Sequence, residues 1–131
     1  GIGRRSLYLN STGSENIAVG YQALDANTTG AYNVAVGNNA LGANTTGNYN
    51  VAVGNGSLTS ATTSSNNTAV GNEALANATA GDNTAVGRAA MNSNTTGYSN
   101  IAVGLYALDA NTTGNQNVSL GCACIRREHN C

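Results

Sequence analysis

Apolar and polar positions alternate along the chain in a unit that repeats almost without interruption. Each unit contains a strand-like triplet in which a small residue lies between two larger ones, as in Ile17-Ala18-Val19. An asparagine precedes each triplet, and these asparagines recur every 17 residues with a single step of 16: Asn16, Asn33, Asn50, Asn67, Asn83, Asn100 and Asn117. A glycine follows each triplet, and four residues later comes a large aliphatic side chain: Leu7, Leu24, Leu41, Leu58, Leu75, Met91, Leu108 and Ile125.

This period predicts the fold class. A helical hairpin repeat needs about 33 residues, and asparagine, glycine, threonine and valine are poor helix formers. The unit is therefore expected to form one rung of strands and turns, with successive rungs about 4.8 Å apart. We predict an all-β fold, a β-solenoid of seven to eight rungs over residues 1–121, followed by a cysteine-containing cap or tail over 122–131. The short step places a missing connector residue between Gly81 and Asn83.

Alternation within the triplet assigns two faces, because successive strand side chains point to opposite sides. We expect the valine column to point inward with the leucine column: Val19, Val36, Val53, Val70, Val86 and Val103. The alanines and Ser119 would then form an outer stripe that another backbone can approach: Ala18, Ala35, Ala52, Ala69, Ala85 and Ala102. A core this thin favours subunit contact, most simply a homotrimer. A single solenoid held by asparagine and threonine ladders is the alternative.

Composition narrows the function classes. Only 8% of the 131 residues are charged and the net charge is −1, so neither nucleic acid nor an anionic membrane is an expected partner. No apolar run approaches the roughly 18 residues that span a bilayer, and membrane insertion is not expected. The chain begins Gly-Ile-Gly, which indicates a fragment or a processed product.

The triplets and their surroundings resemble known fibre repeats. The segments NIAVGYQAL, NVAVGNNAL, NTAVGNEAL and NIAVGLYAL are similar to the head repeats of trimeric autotransporter adhesins and to the NTTG-punctuated shafts of phage and viral tail-fibre proteins. The resemblance covers about residues 1–121. It implies a trimeric β-roll on a cell surface, outside the cell or on a virion, which acts as a rigid spacer or presents a surface that binds glycans or host cells.

Threonines suggest a second function class. One column reads Thr28, Thr45, Thr62, Thr79, Thr95 and Thr112, and a neighbouring one reads Thr29, Thr46, Thr63, Thr96 and Thr113. Regular threonine rows resemble those of β-solenoid antifreeze proteins, so ice binding is the alternative to a fibre or adhesin shaft. The NTTG motif is interpreted as the corner of each rung. Its asparagines are also candidate glycosylation sites on an exposed corner: Asn27, Asn44, Asn94 and Asn111.

Catalytic chemistry is not expected. Asp25 and Asp109 share a column but lie five rungs apart, and the one histidine, His129, lies in the tail. The sequence therefore predicts a non-enzymatic protein without a cofactor. Tyr32 and Tyr49 form a short aromatic ladder and are candidates for a surface contact with a ligand.

The tail carries three cysteines. Cys122, Cys124 and Cys131 are disulfide candidates, within the chain or between subunits, and with His129 they are a weaker candidate set for a structural metal; free thiols are the third alternative. Paired arginines near both ends favour either solubility or end-to-end stacking into a filament: Arg4, Arg5, Arg126 and Arg127.

Overall fold

The computed structural model describes residues 1–122, which form a parallel β-solenoid with rungs of about 17 residues. Seven strands pair in parallel and in chain order: β1 Ile17–Val19, β2 Val34–Val36, β3 Val51–Val53, β4 Thr68–Val70, β5 Thr84–Val86, β6 Ile101–Val103 and β7 Val118–Leu120. A bridge between Ile2 and Val19 extends the pairing to the first rung. The predicted fold class is confirmed.

The corners of each rung need unusual backbone conformations. Gly20 has φ 137°, and a Cβ there would collide with the carbonyl oxygen of Gly37 in the next rung, so the glycine column is required both by backbone conformation and by space. Leu24 also has positive φ, at 50°, which is uncommon for a side chain of this size. It is fully buried, and its backbone N–H donates to Ala40 O in the next rung at 3.1 Å, so stacking holds the conformation.

The leucine and methionine column lies inside as predicted, whereas the two faces of the strands are the reverse of the predicted ones. Every strand alanine from Ala18 to Ala102 is buried, together with the leucine and methionine column, whereas Val86 is 37% exposed and Ile17 is 55% exposed. Assignment of the valines to the inside and the alanines to an outer stripe was therefore wrong. Alternation fixes only that the two sets point to opposite sides. Each narrow rung already encloses a leucine or methionine and an asparagine, so a methyl group is what fits beneath the strand.

An unbroken asparagine ladder runs inside the rod. The backbone N–H of each asparagine that precedes a strand donates to the Oδ1 of its counterpart in the preceding rung; Asn50 N, for example, donates to Asn33 Oδ1 at 2.9 Å. The same bond recurs at 2.9–3.0 Å at every step from Asn16 to Asn117. Because these asparagines are mostly fully buried, the ladder satisfies backbone donors that water cannot reach.

A second asparagine ladder explains the NTTG motif. Asn44 Nδ2 donates to Asn27 Oδ1 at 2.8 Å and to Gly47 O at 3.1 Å, so the asparagine closes its own corner while it bonds to the preceding rung. A Cβ on the motif's glycine would collide with the Oδ1 atom of the asparagine and with a backbone carbonyl of the next rung. Where alanine replaces the asparagine, at Ala61, the glycine is also replaced, by Ser64. Asparagine and glycine are thus a spatially coupled pair.

The short rung has its deletion at a different place from the predicted one. Asn67 Nδ2 donates to Ala80 O at 3.1 Å, the bond that Asn50 makes to Ser64 O in the preceding rung. Ala80 therefore supplies the carbonyl of the glycine position in NTTG, and Gly81 serves as the connector residue. The missing residue is the second threonine of the motif, so the prediction of a gap between Gly81 and Asn83 was wrong.

Candidate functional site

The most distinctive surface of the described chain is an apolar sheet face, which we call the aliphatic face. It consists of the first and third residues of all seven strands, which point away from the interior: Ile17, Val19, Val34, Val36, Val51, Val53, Thr68, Val70, Thr84, Val86, Ile101, Val103, Val118 and Leu120. The parallel register stacks like residues on one another, which forms two straight columns. Twelve of the fourteen side chains are aliphatic, two are threonine, and none carries a charge. Such a face is suited to apolar packing rather than to chemistry.

Two exposed columns border the aliphatic face. The leading flank lies two residues before each strand and consists of Glu15, Tyr32, Tyr49, Asn66, Asp82, Ser99 and Gln116. The trailing flank lies two residues after the strands β1 to β6, at Tyr21, Asn38, Asn55, Asn72, Arg88 and Leu105, and after the bridge residue Ile2, at Arg4; Cys122 holds the same position after β7. Acidic side chains occur on the leading flank and basic ones on the trailing flank. This separation of acidic and basic side chains is not apparent from the sequence, because the two flanks are defined only when the valines are placed on the outside.

Tyr32 and Tyr49 stack on the leading flank, as the sequence predicted. Their ring centroids are 5.0 Å apart and their planes differ by 5°, with 45% and 59% of each residue exposed. The Glu15 carboxylate, through its charge and a hydrogen bond, raises the pKa of the Tyr32 phenol, and Tyr49 adds to the effect. Each ring covers one face of the other, so a ligand would meet ring edges more than open faces. Contact of these tyrosines with a ligand stays a prediction.

The asparagines of the glycosylation sequons point inward. Asn27, Asn44 and Asn94 are fully buried, and Asn111 is partly buried. Their Nδ2 atoms, which would carry a sugar, all donate hydrogen bonds within the rod. The expectation that these asparagines lie on an exposed corner was wrong, because the turn needs the amide inside to bond the carbonyl three residues later.

The two threonine columns differ in what their hydroxyls do. In the first column, Thr28 Oγ1 donates to Thr45 O in the next rung at 3.0 Å, and the same bond recurs at Thr45, Thr79 and Thr95. In the second column, Thr29 and its counterparts are exposed at the surface. The first column therefore contributes to stacking, and only the second presents hydroxyl groups that are not used in this way.

A shallow polar groove of about 350 Å³ crosses the three middle rungs. It is lined by Asn55, Gly56, Thr59, Ser60, Glu73, Ala76, Asn77 and Asn92. In this lining, Asn77 Nδ2 donates a hydrogen bond to Asn92 Oδ1 at 3.0 Å. Glu73 is the one carboxylate in the lining, so the groove does not contain an acid–base pair.

The remaining charged and thiol candidates do not form a reactive cluster. Arg5 makes a two-bond ion pair with Asp25, at 2.9 and 3.2 Å, so this arginine is engaged along the side of the rod. Within residues 1–122, histidine, cysteine, aspartate and glutamate do not gather into a group of three or more that could hold a metal. Cys122 is exposed at the last described position. Cys124, His129 and Cys131, with Arg126 and Arg127, lie outside the described residues.

Comparisons with known proteins do not identify the chain. No known family, curated protein or solved structure matches it. Among residues 1–122 there is also no helix of the length and apolarity that crossing a membrane requires.

Proposed function

We propose that this chain is a non-enzymatic structural protein, a rigid shaft segment of an extracellular, cell-surface or virion fibre. Copies pack side by side through the aliphatic face, most simply three around an axis parallel to the rod. The observation that carries the proposal is the aliphatic face itself, with uncharged side chains over all seven strands. A contiguous exposed apolar patch of a few hundred Å² is often a site of contact with another molecule.

The size of the face favours a closed ring over a single pairwise contact. Seven strands about 4.8 Å apart extend about 30 Å, and two columns of side chains are about 10 Å wide, which gives roughly 300 Å² per copy. Stable interfaces bury about 800 Å² on each partner. A copy that contacts two neighbours with the face and both flanks comes closer to that area than a copy with one contact.

The internal bonding supports a mechanical role. The asparagine ladder adds one hydrogen bond to each step between rungs from Asn16 to Asn117, and this bond reinforces the backbone pairing of the strands at that step. The outer surface is then available for recognition. In this proposal the polar groove around Glu73 and the exposed threonines are where a glycan or a host surface would make contact.

Electron microscopy with a matched pair of variants tests the proposal. Negative-stain images of the wild-type protein should show rods thicker than one solenoid. Val53→Glu puts a charge in the middle of the aliphatic face and should give thinner or separate particles, whereas Thr63→Glu puts the same charge on an exposed position elsewhere and should leave the rods unchanged. Equal thickness for wild type and Val53→Glu would overturn the proposal.

Ice binding is the competing function, and one observation keeps it relevant. The side chains of the aliphatic face repeat regularly at the strand spacing, which is a property that an ice-binding surface needs. A measurement of thermal hysteresis on the wild-type protein and on Val53→Glu separates the two functions. Hysteresis that the variant loses would support ice binding, and its absence in the wild type would support the fibre.

A further inference from the structure

We propose that the copies pack parallel and in register, with Asp82 of one copy paired to Arg88 of its neighbour. This inference rests on the lateral association proposed above. It adds the polarity and the height at which neighbouring rods meet, and it names the residues that specify them. An apolar face made of repeated valines cannot specify these properties alone, because sliding by one rung replaces each side chain with a similar one.

The two residues occupy matching places on opposite flanks. Asp82 lies two residues before Thr84–Val86 on the leading flank, and Arg88 lies two residues after it on the trailing flank. Both are exposed. Asp82 Oδ1 accepts a hydrogen bond from Asn66 Nδ2 at 3.1 Å, and the Arg88 guanidinium lies 5.5 Å from the Tyr106 ring centroid. Within residues 1–122, neither side chain forms an ion pair with an opposite charge.

Symmetry brings the two flanks together. Any rotation axis parallel to the rod places the leading flank of one copy against the trailing flank of the next, at the same height. Rung by rung, this apposes Glu15 with Tyr21 and Asp82 with Arg88, whereas the other rungs that the flanks share have uncharged residues on both sides. In-register packing therefore pairs opposite charges once per contact and never brings like charges together.

Other arrangements lose this match. An antiparallel pair places like flanks together with the rung order reversed about β4, so Asp82 would face Tyr49 and Arg88 would face Asn55. A parallel stagger by one rung would bring Arg4 of the neighbouring copy to Glu15 and would leave Asp82 opposite Asn72. Such a stagger builds an open helical assembly, since a closed ring keeps all copies at one height.

Charge reversal tests the pairing by sedimentation velocity at low and high salt. Arg88→Glu and Asp82→Arg each bring like charges together at every contact, so each should raise the dissociation constant of the assembly about tenfold or more at low salt. The double variant Asp82→Arg/Arg88→Glu exchanges the charges and should restore association. Arg4→Glu is the matched control for a charge change on the same flank, and it should behave as wild type. Circular dichroism should show the same β signal for all variants, because the substituted side chains are exposed.

The outcomes separate this inference from the proposed function. Single reversals that associate as tightly as wild type, or a double variant as weak as the singles, would overturn the pairing while the assembly itself stands. Weakening by Arg4→Glu but not by Arg88→Glu would replace the in-register ring with a staggered assembly. A wild-type protein that sediments as a single chain at all concentrations would instead overturn the proposed function.

Discussion

In the NTTG corner, the asparagine and the glycine depend on each other. We therefore predict that two substitutions made together stabilise the protein, whereas one of them alone destabilises it. Asn44 Oδ1 is buried and has no hydrogen-bond partner in the described chain, because Ala61 lacks the amide that would donate to it. Ala61→Asn supplies that amide, but its Oδ1 would meet the Cβ of Ser64, as the equivalent contact in the other corners shows. Ser64→Gly removes this obstacle, together with a buried hydroxyl that also has no partner.

The magnitudes follow from the buried groups. An unsatisfied buried acceptor costs about 1–3 kcal/mol. We therefore expect Ala61→Asn/Ser64→Gly to raise the free energy of unfolding by about 1–2 kcal/mol, after the backbone entropy cost of a new glycine. Ala61→Asn alone should lower it by about 1 kcal/mol or more, because the added atoms overpack the corner. Ser64→Gly alone should change the free energy of unfolding little, because loss of the unpaired hydroxyl offsets the entropy cost of glycine, so the coupling energy in the double-mutant cycle should be about 2–3 kcal/mol.

Urea unfolding of the wild type, the two single variants and the double variant measures this coupling energy. A second double-mutant cycle, at Asn111 and Gly114, tests the same contact in the opposite direction, by adding a side chain to the glycine and removing the amide. Among residues 1–122, the atoms nearest to a Cβ added at Gly114 are side-chain atoms of Asn111 and Asn117. Gly114→Ala should therefore be tolerated better when Asn111→Ala is also present. If Ala61→Asn alone stabilises as much as the double variant, the two positions do not compete for space and the interpretation of the motif fails.

Three further predictions concern single residues. Asn67→Ala removes the acceptor of the buried Asn83 N–H, now bonded at 3.0 Å, and should lower the free energy of unfolding by about 1–3 kcal/mol in urea. Gly37 has φ 141°, and the Cβ that Gly37→Ala adds would collide with Gly54 O, so this variant should lose cooperative thermal melting. Gly42→Ala is the matched control: its Cβ meets mainly the Asn39 side chain, so its effect on thermal melting should be mild. Because the Tyr32 pKa is raised in the folded state, stability should fall as pH rises above about 10. Glu15→Gln should lower that pKa towards its ordinary value in a UV-difference titration; an unchanged titration would argue against the contact.

The period predicted the rung because one backbone constraint recurs in every unit. Each glycine in its column has a backbone conformation or a close neighbour that excludes a side chain, and each asparagine in its column continues a hydrogen-bond ladder. Both residues therefore recur in the sequence at a fixed spacing. The inside and outside of the rung were not predictable from the same letters. Alternation shows that Ala18 and Val19 point to opposite sides, but it does not show which of the two points inward. The usual preference for valine inside was overridden by the narrow cross-section of the rung.

The burial of the sequon asparagines had a signal in the sequence that was not used. Asparagine and glycine of NTTG are lost together in the sequence at Ala61 and Ser64. The parallel loss at Ala78 and Ala80 becomes visible only after the structure places the deletion in the short rung. A sugar acceptor on an exposed corner does not explain this joint loss. It is explained if the asparagine side chain fills the space that a side chain on the glycine would need. The flanks, in contrast, could be defined only after the structure showed which residues surround the aliphatic face.

The mass of the native particle tests the central claim most directly, that the aliphatic face is covered by other copies of the chain. Light scattering coupled to size-exclusion chromatography, with the cysteines reduced, measures it without disulfide cross-links. The account predicts about 39 kDa, three times the chain mass of 13.1 kDa, and a shift towards one chain for Val53→Glu. A wild-type mass of about 13 kDa at all accessible concentrations would contradict it.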